Sequence, residues 1–222
     1  MIPPWQQLSQ DILSFVLNPN CALCGRSAES TLCDHCNRQL QQCQLSSHQF
    51  QGKGGISVLA WGNYGGLLKR AIAQLKYEQQ PHLARPLGNY LGKTWLNLSP
   101  RTTKSQPLVV PIPLHPLKQQ QRGYNQAELI ARSFCTTTGL KLRAQGLKRI
   151  KNTEALFGLS PKQREEMITS AFRLGKGLKS GDSVLLLDDI YTTGTTVHTA
   201  QITLQRAGIS VIGVGAIAAS KR

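Results

Sequence analysis

Two adjacent carboxylates, Asp188 and Asp189, close an apolar run and are followed at once by Thr192-Thr193-Gly194-Thr195-Thr196. The residue types divide the chemistry. Carboxylates repel an anion, but they accept hydrogen bonds from sugar hydroxyls and ligate a hydrated cation. Threonines around one glycine do the reverse. Their hydroxyls and backbone N–H groups donate, and a helix starting there adds a dipole that favours negative charge. Together the two halves describe a site for a ribose 5-phosphate. The alternative is a buried strand whose aspartates only cap the next turn. A cap accounts for one Asp and leaves the hydroxyl-rich loop unexplained.

The elements that must carry these groups can be read on both sides of them. Val184–Leu187 has the character of a buried strand, and Val197, Ala200, Leu204 and Ala207 follow the loop at helical spacing. Upstream, Ile56–Trp61 predicts a strand, and Leu67, Leu68, Ala71, Ile72 and Leu75 stripe a helix ending near Lys76-Tyr77. A further helix is expected over 83–98, a proline-closed strand over 108–112, and a helix through Ala127, Ile130, Ala131 and Phe134 that Gly139 stops. Residues 140–147 read as a strand, 161–169 as a short helix and 171–174 as an extended segment; a last strand spans 209–217. Strands alternating with helices predict a mostly parallel sheet flanked by helices. Ligands of such sheets bind outside the carboxyl ends of the strands, where Asp188 and Asp189 fall.

A second constellation is Pro111-Ile-Pro113-Leu-His115-Pro116, followed by Arg122-Gly123-Tyr124-Asn125-Gln126. It reads as a proline-locked strand end leading into a loop. Arg122 is suited to clamp a pyrophosphate with its guanidinium fork, or else it is an exposed helix-entry arginine. His115, between Leu114 and Pro116, is a site candidate whose bland alternative is loop packing.

Cys21-x-x-Cys24 and Cys33-x-x-Cys36, eight residues apart, have the spacing of a four-thiolate zinc site. An iron–sulfur site and a redox pair are the alternatives. A closed tetrathiolate leaves no coordination position for chemistry, so its role is structural: it folds a segment too short to bury a core. Cys43 and Cys135 read as ordinary thiols. The Gln- and Ser-rich stretch 39–51, with Gly52, Gly54 and Gly55 behind it, reads as a linker. The expected division is 1–50, an N-terminal segment with the zinc knuckle, and 51–222, the main domain.

The chain carries 26 Lys and Arg against 11 Asp and Glu, a formal charge of +15. Ten basic residues lie between Lys53 and Arg122, with Glu78 the only carboxylate among them. This excess fits polyanionic partners, either nucleic acid or a highly phosphorylated small molecule. A solvated basic face would look the same. Trp61, Tyr64, Tyr77 and Tyr124 stand near basic residues as candidate stacking platforms, with core packing the expected role of Trp61. No segment has about 20 consecutive apolar residues, so no membrane span is expected. Residues 1–17 lack a basic start and carry Asp11, so they do not read as a secretory signal, and a cytoplasmic location follows.

The acidic pair with its Thr/Gly loop resembles the phosphoribosyl pyrophosphate (PRPP) motif of type I phosphoribosyltransferases. Taken with the four cysteines, the Pro111–Pro116 segment and the R-G-Y-N-Q element, in this order, the chain is similar to the ComF family of competence proteins. Leu75-Lys76-Tyr77 resembles another family element. The resemblance implies a type I phosphoribosyltransferase-like domain over 51–222 behind a zinc module. It also implies PRPP as ligand, with Mg²⁺ shared between the ligand and the aspartates. The Thr192–Thr196 loop would hold the 5-phosphate, Asp188 and Asp189 the ribose hydroxyls, and Arg122, Pro113, His115 and Lys76 the pyrophosphate side. A role in natural competence follows, handling incoming single-stranded DNA alongside competence-machinery proteins. An active phosphoribosyltransferase of nucleotide or nucleobase metabolism is the alternative, and turnover stays open. Phosphoribosyltransferases commonly form homodimers, though no interface signature can be read here. One region departs from the family pattern: Arg149, Lys151, Thr153, Arg164 and Phe172 match, but Leu156 and Met167 stand where Gln and Asn are common. If this region walls the acceptor pocket, that wall is less polar.

Overall fold

The computed structural model describes residues 20–98, 106–151 and 171–220. The chain divides into two compact units between Gln42 and Cys43. The first unit contains the two Cys-x-x-Cys turns and helix α1 (Asp34–Gln41), which Asp34 starts with a favourable first-turn charge.

In the second unit the apolar runs become strands of one sheet. The strands are β1 (Gln49–Gln51), β2 (Ser57–Asn63), β3 (Leu108–Pro111), β6 (Ser183–Tyr191) and β7 (Ser210–Ala219). Their spatial order is β1-β2-β7-β6-β3. All neighbours are parallel except β1, which pairs antiparallel with β2. Helices α2 (Gly66–Tyr77), α3 (Ala84–Leu98), α4 (Pro116–Arg122), α5 (Gln126–Thr138) and α6 (Thr195–Arg206) make the connections. A two-stranded ribbon pairs β4 (Leu147–Arg149) with β5 (Phe172–Leu174). This is the mostly parallel, helix-flanked sheet expected from the alternation of periods.

Successive strand side chains leave on opposite faces. Val184 and Leu186 of β6 join Val58, Val110 and Val214 in the core that Val197, Ala200 and Leu204 of α6 cover. Leu185 and Leu187 are buried on the other face. The same parity sends Asp188 and Asp189 toward opposite faces of the strand, so they meet different neighbours.

Three expectations need correction. Residues 140–147 are not a strand: Leu142 makes one parallel bridge to Val109, and the chain turns before β4 begins at Leu147. Residues 116–122 are helical rather than a loop. His115 caps α4, Pro116 occupies its first position and Gly123 ends it in the left-handed conformation. The stretch read as a linker contributes the end of α1 and all of β1. The helix expected over 161–169 and the leader reading of residues 1–17 lie outside the described residues.

Candidate phosphoribosyl site at the carboxyl end of the sheet

β3 ends level with Leu187, where Pro111 is its last paired residue. β6 runs on to Tyr191 beside β7. Asp188 and Asp189 therefore extend past the end of their neighbour, at the mouth between strands. Each Oδ1 accepts from the next backbone N–H: Asp189 N donates to Asp188 at 2.9 Å and Ile190 N to Asp189 at 3.0 Å. Lys76, from the last turn of α2, meets Asp189 Oδ2 at 2.5 Å. Burial opposes the charge on Lys76, but the Asp189 carboxylate outweighs it and holds the ammonium above its ordinary range. Asp188 is driven toward its neutral form. Burial first, and then the charge of Asp189, push its carboxyl well above the usual carboxylate range.

The cleft at this strand end, about 300 Å³, brings together Lys76, Arg122, Asp188, Asp189, Thr192 and Thr196 from three separate sequence regions. Arg122 donates to Gln126 Oε1 and lies 5.4 Å from the Tyr77 ring centroid. The rest of the R-G-Y-N-Q element holds this arginine in place. Tyr124 Oη donates to Leu75 O at 2.6 Å, satisfying a carbonyl at the end of α2. Asn125 Nδ2 donates to Ile112 O at 3.1 Å, while its Oδ1 accepts from Ala127 N at 3.1 Å and caps α5. One motif thus joins β3, α2 and α5. Pro113 and His115 are not among the residues lining the cleft. The His115 ring is occupied as the cap of α4, where Nδ1 accepts from Leu117 N at 3.4 Å.

The hydroxyl loop is built against Tyr191, whose side chain is buried. Gly194 caps α6 at φ +73°, and a Cβ there would collide with the Tyr191 hydroxyl. Gly52 meets the same hydroxyl from the other side, and Lys53 N donates to it at 2.8 Å. The glycine turn at 52–55 therefore lies over the loop, and Lys53 Nζ reaches Thr195 Oγ1 at 3.4 Å. Thr193 and Thr195 hydroxyls are 3.2 Å apart. Sequence reasoning missed Lys53, Tyr191 and Gln126. The glycines bracketing Lys53 were the available signal, read instead as a linker. Leu156 and Met167, the departures from the family pattern, lie outside the described residues.

In the first unit the Cys21, Cys24, Cys33 and Cys36 sulfurs all lie within 4.8 Å of one another, so the four could hold a metal ion. Arg26 prepares one of them. Its backbone, then its Nε at 3.4 Å, holds the Cys24 thiol down to about 6. Four clustered sulfurs suit zinc in tetrahedral coordination.

Sheet, strand-end cleft and four-cysteine cluster define a mostly parallel, helix-flanked α/β protein with a candidate zinc module. Over 215 residues the chain is 28% identical to Competence protein F of Haemophilus influenzae, covering 93% of each chain. It is 25% identical to DNA utilization protein YhgH of Escherichia coli K12 over 87% of each, and 25% identical to Competence protein ComFC of Bacillus subtilis over 85% of this chain and 72% of that one. These relatives support a ComF-family protein. No family model matches the chain. Among solved structures it is similar to glutamine PRPP amidotransferase of B. subtilis (TM-score 0.43, 18% identity, 64% of this chain and 30% of that one). It is also similar to adenine phosphoribosyltransferase of Thermoanaerobacter pseudethanolicus (0.40, 8%, 82% and 99%) and to Leishmania donovani UMP synthase (0.39, 18%, 82% and 30%). Among the described residues no helix is long and apolar enough to cross a membrane.

Proposed function

We propose that this protein binds PRPP at the strand-end cleft and acts in DNA utilisation, as the names of its relatives suggest. The observation that carries the reading is one cleft holding two adjacent carboxylates, the cations Lys76, Lys118, Arg122 and Arg149, and Thr192 and Thr196 of the loop. Thr192–Thr196 would receive the 5-phosphate through donors alone. Asp188 and Asp189 would accept from the ribose hydroxyls, and Arg122 and Lys76 would face the pyrophosphate. A hydrated Mg²⁺ fits Asp188, which offers a carboxylate at the cleft wall while Asp189 is engaged by Lys76. Mg²⁺ would neutralise phosphate charge there. Where transfer occurs, these residues contribute by orienting ribose and by stabilising the charge of departing pyrophosphate; no protein nucleophile is needed. Residues 51–222 would form this domain, and the zinc module would fold the N-terminal segment.

The test is calorimetric titration with PRPP and Mg²⁺ of wild type beside Asp188→Asn/Asp189→Asn. Micromolar to sub-millimolar binding that the double variant loses is expected. No wild-type binding at millimolar ligand overturns the reading.

A second reading, direct binding of single-stranded DNA, is favoured by the +15 charge and by the names of the relatives. It requires affinity that falls steeply with salt. Weak, salt-insensitive binding of an oligonucleotide removes its basis.

A further inference from the structure

At the amino end of the sheet, opposite the phosphoribosyl cleft, a second groove of about 560 Å³ lies where β3 starts at Leu108 and β6 at Ser183. Lys141, Arg143 and Lys179 line it, against one carboxylate, Asp182. Two chain segments meet there. Residues 141–143 run beside β3: Val109 N donates to Lys141 O at 2.9 Å, and Arg143 N donates to Val109 O at 2.8 Å. Lys141 and Arg143 are two apart in an extended run, so their side chains leave on the same side. The second segment, Gly175-Lys-Gly-Leu-Lys-Ser-Gly-Asp182, connects β5 to β6. It is pinned to the turn before β4, where Gly175 N donates to Gly146 O at 2.9 Å and Lys176 N to Gln145 O at 2.7 Å. A Cβ on Gly175 would run into Gln145 O, so only glycine permits this approach.

The cations are positioned as well as gathered. Arg143 Nε donates to Gly177 O at 3.0 Å and Nη1 to Leu142 O at 3.3 Å. Its stem packs over Gly177, where a Cβ would come within 3.2 Å of Arg143 Cδ. The guanidinium is thus fixed at the groove with N–H groups left over for a ligand. A turn holds Lys179: its backbone N–H donates to Asp182 Oδ2 at 2.9 Å, and Asp182 N donates to Lys179 O at 3.1 Å. Asp182 is therefore occupied in closing the loop. Among the described residues neither the Lys141 nor the Lys179 ammonium is in an ion pair. Like charges round one space repel one another, and an anion between them removes that repulsion.

The kind of anion follows from what the groove lacks. Of the aromatic candidates, Trp61 is buried and stacked on Tyr90 with centroids 4.7 Å apart, and Tyr124 is tethered to Leu75. Tyr64 and Tyr77 line the phosphoribosyl cleft, and none of the four lines this groove. Single-strand sites combine cations with stacking platforms. Here the cations stand without a platform, which suits phosphates carried close together rather than bases.

We propose that this groove binds a short polyphosphate chain, free or as the tail of a nucleotide, on Lys141, Arg143 and Lys179. The site is separate from the phosphoribosyl cleft, and the inference does not rest on PRPP binding.

The experiment is calorimetric titration with inorganic tripolyphosphate. The cleft holds cations too, so the background is Lys118→Gln/Arg122→Gln, which weakens anion binding there. To it is added either Lys141→Gln/Lys179→Gln or, as a control for equal loss of charge, the exposed pair Lys69→Gln/Lys93→Gln. Expected are one site in the background, a loss of at least about tenfold with the groove pair, and a change within about twofold with the control. Thermal melts should match, because Lys141 and Lys179 are exposed. In otherwise wild-type protein the groove pair should remove one binding event and leave the other. Adenosine triphosphate is the second probe: equal affinity names the phosphate chain alone, and tighter binding names a nucleotide. Absence of tripolyphosphate binding, or equal losses from groove and control pairs, overturns the inference. So does tighter binding of an oligothymidylate that depends on the same two lysines, which would give the groove to a strand.

Discussion

Lys76 Nζ and Asp189 Oδ2 stand 2.5 Å apart, with side chains 17% and 5% exposed, and tie the last turn of α2 to the end of β6. A pair this buried is expensive to break from one side, because the remaining charge has no water to receive it. Lys76→Met should therefore cost about 3 kcal/mol of unfolding free energy. In urea this appears as a lower midpoint with an unchanged slope. A loss under about 1 kcal/mol would mean that solvent reaches Asp189.

Asp188 makes stability depend on pH in the direction opposite to a salt-bridged carboxylate. Its carboxyl is raised in the fold, so the folded chain binds the proton more tightly than the unfolded one. Below the ordinary carboxylate range the group is neutral in both states and costs nothing. As pH rises from that range through the raised folded value, the folded state loses stability. Asp188→Asn should thus stabilise the protein at neutral pH, with the gain shrinking to nothing toward pH 4. Melting curves of both proteins across this range test it. A cation or ribose bound there competes with the same proton, so PRPP affinity should rise with pH in that window.

Tyr191 is a post between two glycine turns. Gly194→Ala forces a left-handed Cβ into the tyrosine hydroxyl and should cost about 2 kcal/mol or more. Because the obstacle is the hydroxyl and Cζ of the tyrosine, adding Tyr191→Leu, which removes both, should make the double variant more stable than the sum of the two losses implies. A double-mutant cycle measures the coupling. Strict additivity would show that the loop had relaxed elsewhere.

Lys53 supplies positive charge at a loop whose own residues 192–196 carry none. Lys53→Ala should weaken PRPP binding about tenfold, as expected for losing one hydrogen bond to a charged group. Its effect should fade at high salt, since the side chain is exposed. Equal affinity of the two proteins at low salt would remove Lys53 from the site.

The four cysteines should bind one zinc ion per chain. Chelation, or Cys33→Ser, should expose residues 20–42 to limited proteolysis, because metal binding supplies folding energy that so short a segment lacks. Metal content by mass spectrometry and the cleavage pattern check both halves. A metal-free chain equally resistant to protease would contradict it.

Where periodicity was strong, sequence sufficed. The stripe through Leu68, Ala71, Ile72 and Leu75 and the run Val184–Leu187 became the helix and strand expected of them. Asp188, Asp189, Thr192 and Thr196 could be read as neighbours because they are neighbours in sequence. Lys76 and Arg122 could be read as candidates, but that they share a cleft depends on chain crossings no local pattern records. Helix α4 carried its signals, a proline at the first helical position and glycine behind the last. Three prolines in six residues outweighed them. β1 is Gln-Phe-Gln, whose strand character comes from its partner β2. At Gly52 and Gly54 the small residue reflects close approach to Tyr191 and His198 rather than flexibility. Composition cannot tell these two uses of glycine apart.

The two margins of the main sheet bear on assembly. One is β1, three residues long and antiparallel to its neighbour. The other is β3, where Val109 already exchanges backbone hydrogen bonds with Lys141 and Arg143, and where Pro111 and Pro113 have no N–H to give. Among the described residues neither margin offers a long row of free donors and acceptors to another chain. Copies of this protein that associate are therefore expected to meet through helices, loops or side chains rather than by continuing the sheet from one molecule into the next.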